Sequence, residues 1–204
     1  MTCRSGKKLN QPDKMKRPAF TLIEMTVSIS IIVLTAVLFI ANYHSTNQQT
    51  DLTMTAQKVV ADIHATQNNT LGLVKYNGLI PAGGWGIHFN TDELAYTIFA
   101  DLNAPGELGN MEYDAFVEGQ VAYGARVTDL PRNVVIDTIK TSGGFPNMVN
   151  LTFLPPDPQT NIYDGLATSS IVLIVIKNKQ TNTCRTVSVN FLGLAEVLDT
   201  TSCP

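Results

Sequence analysis

The sequence predicts an α+β chain: a long N-terminal α-helix, transmembrane in its first half, packed on an antiparallel β-sheet domain. Three observations predict this. Phe20–Ala41 is a run of 22 mostly apolar residues without Gly or Pro. Leu52, Ala56, Val59 and Ile63 then recur at i, i+4, i+7 and i+11, one face of a helix. Residues 79–204 break into short alternating or apolar runs bounded by Gly, Pro, Asn and Asp. The expected divisions are 1–19 as a leader, 20–41 as the spanning half of the helix, 42–78 as its amphipathic half with a linker, and 79–204 as the β domain.

The charge distribution orients the chain. Charged residues make up 15% against a usual share of about 25%, which excludes a charged disordered tail. The apolar residues form one long run, which excludes a polytopic membrane protein. Residues 1–19 hold six basic residues (Arg4, Lys7, Lys8, Lys14, Lys16, Arg17) and Asp13, a net of +5. Residues 20–204 hold eight basic and sixteen acidic residues, a net of −8. As a helix, Phe20–Ala41 spans about 33 Å, close to the ~30 Å hydrocarbon core. The excess of basic residues before it puts residues 1–19 in the cytoplasm and the remainder outside. An ordinary secretory signal has a shorter apolar region and a small-x-small cleavage site, and Asn42-Tyr43-His44 offers none. A single-pass anchor explains the length and the orientation but not Glu24, the one charge between Arg17 and Asp51. A carboxylate about one turn inside an apolar span calls for a partner.

The helix is expected to run from about Phe20 to about Leu71, with Gly72 and Asn77-Gly78 as stop signals. Expected strands are Trp85–Phe89, Leu94–Ala100, Phe116–Tyr123, Val134–Ile139, Val149–Leu154, Ile171–Ile176, Thr186–Leu192 and Ala195–Leu198. Asn90-Thr91-Asp92-Glu93 reads as a hairpin turn, and Gly143-Gly144 and Pro155–Pro158 read as loops. The six apolar residues Ile171–Ile176 are too short to span a membrane and read as a central strand buried on both faces.

Cysteine and carboxylate patterns supply the candidate sites. Cys3 lies in the leader, leaving Cys184 and Cys203 in a compartment that permits disulfides. Pairing would close an 18-residue loop, contributing roughly 3 kcal/mol in the chain-entropy model and fastening the C-terminus to the sheet. Two free thiols are the alternative. Asp101, Asn103 and Glu112 nearly follow the spacing of an oxygen-ligand Ca²⁺ loop, D-x-[DN]-x-[DN]-G-x5-E. Pro105 breaks the fifth position, so the stretch reads first as a plain acidic loop, with a weak calcium site as the second reading. His44, His64 and His88 are scattered, with no nucleophile motif, phosphate loop or metal cluster, so no enzyme is expected and no cofactor beyond that calcium. The eight basic residues after the leader are dispersed, which argues against nucleic acid as a partner; Lys177, Lys179 and Arg185 would make at most a small patch.

Lys16-Arg17-Pro18-Ala19, followed by Phe20-Thr21-Leu22-Ile23-Glu24 and an apolar run, resembles a class III signal, the prepilin leader of type IV pilins and type II secretion pseudopilins. The resemblance implies a chain of the inner or cytoplasmic membrane, cut by a prepilin peptidase between Ala19 and Phe20 and N-methylated at Phe20. It implies that Glu24 neutralises the Phe20 amine of a neighbouring subunit and sets its register in a pilus or pseudopilus. Ala19 stands where that family almost always has Gly. Gly84-Trp85-Gly86-Ile87-His88-Phe89 and Phe99-Ala100-Asp101-Leu102-Asn103 resemble the sheet region of H-type minor pseudopilins and FimT-type minor pilins. A C-terminal disulfide is likewise similar to that of many pilins. The partners implied are the peptidase, other pilin or pseudopilin subunits, and membrane lipid before assembly. The rival reading is an anchored extracytoplasmic binding domain that never assembles, keeps residues 1–19 and has no need of Glu24.

Overall fold

The computed structural model describes residues 20–102, 112–113, 126–155, 159–198 and 203, leaving aside the side chains of 41–47. The expected strand Phe116–Tyr123 lies outside these residues. The chain divides into two compact units, Met1–Tyr43 and His44–Pro204. Helix α1 covers Leu22–Leu71, 50 residues.

Helix α1 ends at Leu71 as expected, but the residue that caps it is not the glycine. The Val74 N–H donates to the Asn69 carbonyl (2.9 Å) and the Leu73 N–H to that of Thr70 (3.1 Å). These are the paired bonds of a Schellman cap, which needs a left-handed residue at its C′ position. Leu73 holds that position with φ of 48°, and Gly72 does not.

The second unit is α+β with two antiparallel sheets, where the sequence reading expected one. The six-stranded sheet has the order β3-β2-β1-β5-β6-β7. Its strands are β1 Trp85–Asn90, β2 Ala95–Ala100, β3 Arg126–Asp129, β5 Met148–Leu154, β6 Gln159–Tyr163 and β7 Thr168–Ser169. The four-stranded sheet has the order β10-β9-β8-β4, with β4 Val134–Thr141, β8 Ile171–Asn178, β9 Thr183–Asn190 and β10 Ala195–Leu198. The β1–β2 hairpin turns at Asn90, whose side-chain oxygen accepts from the Asp92 N–H at 3.0 Å. Gly84 is required next to this sheet: its φ is +78°, and a Cβ there would lie 1.9 Å from the Phe153 carbonyl oxygen.

One core joins the helix to both sheets. Leu52, Ala56, Val59 and Ile63 are buried with Ile87, Phe89, Tyr96, Leu151 and Phe153 of one sheet and Ile136, Ile139, Val172, Ile174 and Val187 of the other. Strand alternation places every second residue on that face. The expectation that Ile171–Ile176 is buried on both faces is corrected. Val172, Ile174 and Ile176 face the core, but on the other face only Val175 is buried, while Ile171 is 41% exposed and Leu173 half-buried. Along β8 that face is therefore buried at Val175 and open at Ile171.

Candidate functional site

The first residues of α1 are where the sequence reading concentrates function. Ala19 lies outside the described residues. Phe20 is 73% exposed. The Thr21 hydroxyl accepts from the Glu24 N–H at 3.3 Å. Thr21-Leu22-Ile23-Glu24 thus has the spacing of a capping box, in which a hydroxyl caps the N-terminus and an acid three residues on favours the positive helix end. The bond to Thr21 comes from the Glu24 backbone; what its carboxylate adds is a negative charge in the first turn, a role that sequence reasoning did not assign, although T-x-x-E is written in the chain.

Beyond Glu24 the helix is apolar on all sides. Leu22–Ile40 spans 19 residues with a mean hydropathy of 2.4, and none of that stretch is buried. Among the described residues this helix alone has the length and composition to cross a membrane, a test that a signal sequence near an N-terminus also passes. Its hydroxyl groups are satisfied within the helix. Thr26 donates to the Ile23 carbonyl (2.9 Å), Ser28 to that of Glu24 (2.7 Å) and Ser30 to that of Thr26 (2.7 Å). Thr35 donates to the Ile31 carbonyl at 3.0 Å. Such back-bonding leaves no free hydroxyl donor in an apolar medium.

The second half of α1 is tied to both sheets. Tyr96 on β2 donates its hydroxyl to the Asp62 carboxylate at 2.5 Å, and Arg126 at the start of β3 lies 3.8 Å from the same carboxylate. Burial, and then the Asp62 carboxylate, push the Tyr96 phenol far above its ordinary value. Thr70 accepts from the Trp85 N–H at 3.2 Å, and Gln67 donates to the Gly193 carbonyl at 2.5 Å in the β9–β10 turn. Gln48 bonds Gln180 in the β8–β9 turn. Sequence patterning does not find Asp62 or Gln67, because a polar residue at a stripe edge does not announce its partner.

Cys184 and Cys203 form a disulfide with a Cα–Cα distance of 5.3 Å. Cys184 is fully buried and stands opposite Lys177 on β8. The bridge therefore fastens the C-terminus to the outer face of the four-stranded sheet.

Two of the three acidic-loop residues, Asp101 and Glu112, are described. Asp101 is fully buried at the end of β2, where its N–H donates to the Gly84 carbonyl at 3.0 Å. Its carboxylate packs on Gly83, where a Cβ would lie 1.9 Å from Oδ2. Asn103 lies outside the described residues. The Glu112 carboxylate bonds the Tyr163 hydroxyl and raises that phenol above its ordinary value. Among the described residues no group of three His, Cys, Asp or Glu could hold a metal ion.

His88 is buried, with Nδ1 2.6 Å from the Asn150 side-chain oxygen and its ring 4.8 Å from that of Tyr113. It is a hydrogen-bonded, stacked residue. It belongs to a row that the sequence reading missed: register aligns Thr97, His88, Asn150, Tyr163 and Thr168 across five strands of the larger sheet. Register separates two members of the small patch weighed for Lys177, Lys179 and Arg185. Lys177 lies opposite Cys184 and Arg185 opposite Ile176, so Lys177 and Arg185 project from opposite faces, and Lys177 pairs with Asp137 at 3.3 Å. Compared with family models, with curated proteins and with solved structures, the chain matches none.

Proposed function

We propose that this chain is a structural subunit, a minor pilin or pseudopilin, that enters a type IV pilus or a type II secretion pseudopilus through its N-terminal helix. The observation that carries the reading is the helix Leu22–Ile40. It has no buried residue and one carboxylate, Glu24, in its first turn. Apolar surface on every side has to be covered by lipid or by like helices. A chain that passes from one to the other uses both: lipid before assembly, neighbouring helices after it. The basic leader keeps residues 1–19 on the cytoplasmic side, a prepilin peptidase cuts between Ala19 and Phe20, and Glu24 pairs with the methylated Phe20 amine of a neighbour. Packing of the Leu52–Ile63 stripe on a β-rich domain is consistent with the pilin arrangement.

The test is the N-terminus of the membrane-inserted protein. Mass analysis should give a chain that begins with methylated Phe20; a chain that still begins near Met1 would sink the proposal. Co-purification with secretion components or with a retractile pilus separates the two filament types.

A second reading has an observation of its own. A carboxylate in the first turn is favoured by the positive helix end, which gives Glu24 a role without any neighbour, as an anchored extracytoplasmic binding domain requires. Replacing Ala19 by a bulky charged residue would leave such a domain's function untouched.

A further inference from the structure

We propose that Asn77 is a site of spontaneous deamidation, a covalent change that rewrites the turn between α1 and β1. Asn77 and Gly78 are the central residues of a tight turn, with φ of 49° and 84°. Positive φ at both positions is the mark of a type I′ turn. The turn is closed by two bonds, Tyr76 N–H to Leu79 O (2.8 Å) and Leu79 N–H to Tyr76 O (2.9 Å). It is an isolated bridge with no ladder beyond it. Local opening therefore breaks two bonds and no sheet.

The chemistry needs a nucleophilic amide nitrogen next to an unhindered side-chain amide. The Gly78 nitrogen attacks Asn77 Cγ, and the new N–Cγ bond closes a five-membered succinimide. The Cγ–Nδ2 bond breaks, and nitrogen leaves as ammonia with the proton from Gly78. Water then adds to either ring carbonyl, giving aspartate or isoaspartate, with no change of oxidation state. Gly78 has no Cβ to obstruct the attack, and a Cβ built there meets nothing within 4 Å. Asn77 is exposed, and among the described residues its carboxamide makes no hydrogen bond.

Other positions show what protection looks like. The side-chain oxygens of Asn150, Asn178 and Asn190 are held by His88, Gln180 and Leu192 respectively. Each of these asparagines is followed by a residue with a side chain. Asp164-Gly165 has the sister sequence, and isomerisation there would pass through the same ring. The Asp164 carboxylate, however, accepts from the Leu166 N–H (3.1 Å), the Ala167 N–H (2.8 Å) and the Thr141 hydroxyl (3.1 Å).

The product alters its surroundings. Isoaspartate inserts a methylene into the main chain, which breaks the Tyr76–Leu79 register. Tyr76 stands edge-on to Trp85, with ring centroids 6.4 Å apart, and Trp85 Nε1 donates to the Val74 carbonyl at 3.1 Å. Trp85 is the sole tryptophan, so its fluorescence reports on the turn. A new carboxylate also appears beside exposed Leu73, Val74, Leu79 and Ile80.

The experiment ages the full chain in detergent micelles, in warm, mildly alkaline, heavy-oxygen water. Peptide mass mapping and Trp85 emission are followed together, with Asn77→Gln in parallel. Heavy oxygen should enter residue 77 several-fold faster than any other asparagine and faster than Asp164, with a shift in Trp85 emission on the same time course. Asn77→Gln should show neither change. Residue 77 converting no faster than the other asparagines would overturn the proposal. Label at residue 77 with unchanged Trp85 emission would overturn the link to the turn.

Discussion

On the proposed filament reading Glu24 would serve two ends, a place in the first turn of the helix and a pairing with a neighbour's amine, and one substitution separates them. Glutamine fills the third helical position of a capping box as well as glutamate does, but it carries no charge to pair with an amine. Glu24→Gln should therefore be cut, stay in the membrane and fail to enter filaments. Normal incorporation of Glu24→Gln, scored in sheared filament fractions, would leave the place in the first turn as the residue's whole role. Tyr96 gives a pH signature. Its phenol, 1% exposed, is raised by burial first and the Asp62 carboxylate second, so the folded chain keeps a proton that the unfolded chain loses near the ordinary value of 10.0. Above that pH the unfolded state binds fewer protons and stability falls as pH rises. The contribution is fully present below pH 10 and is lost above it, at up to about 1.4 kcal/mol per pH unit. Melting between about pH 9 and pH 11 should fall more steeply for the natural chain than for Tyr96→Phe; parallel curves would show that Tyr96 gains nothing from its proton.

The elements that the sequence made legible are those whose pattern is their own. The Leu52–Ile63 stripe is read from a 3.6 period and lies in the core as spaced. Seven expected strands on described residues agree with observed ones to within about three residues at either end. The unannounced strands are β3 (Arg-Val-Thr-Asp), β6 (Gln-Thr-Asn-Ile-Tyr) and β7 (Thr-Ser). Short polar strands at or beside a sheet edge are made by their neighbours' hydrogen-bonding groups and carry little apolar alternation. The split into two sheets was illegible for a related reason: alternation says which face is buried, not which strand is the neighbour. The helix terminus supplies a prediction at this scale. Leu73 holds a left-handed conformation that costs an L-residue roughly 1–2 kcal/mol, while half its surface gains little from burial. Glycine would remove that strain and return part of the gain as unfolded-state entropy. Leu73→Gly should raise stability by up to about 1 kcal/mol in denaturant titration; a loss would mean that its side-chain packing outweighs the strain.

At the scale of the molecule, the apolar helix and the β-rich unit obey different rules. The apolar helix was legible because length and composition alone specify it, whereas the tethers Asp62–Tyr96 and Gln67–Gly193 are long-range pairings that periodicity does not encode. All of the core cluster comes from Leu52 onward, and the stretch Leu22–Ile40 contributes no buried surface. The unit His44–Pro204 also contains the Cys184–Cys203 bridge. Removing residues 1–43 should therefore discard an assembly or anchoring element and leave the fold intact. The shortened chain, made in an oxidising compartment, should be water-soluble without detergent. It should retain the disulfide by thiol titration and unfold cooperatively within about 3 °C of the full chain in micelles, a difference of under roughly 1 kcal/mol for a unit of this size. The same truncation should abolish membrane association, because the apolar surface that needed lipid is gone. A shortened chain that aggregates, or that melts far below the full chain, would mean that the helix before Tyr43 supports the domain. The two halves of the molecule would then have to be treated as one folding unit.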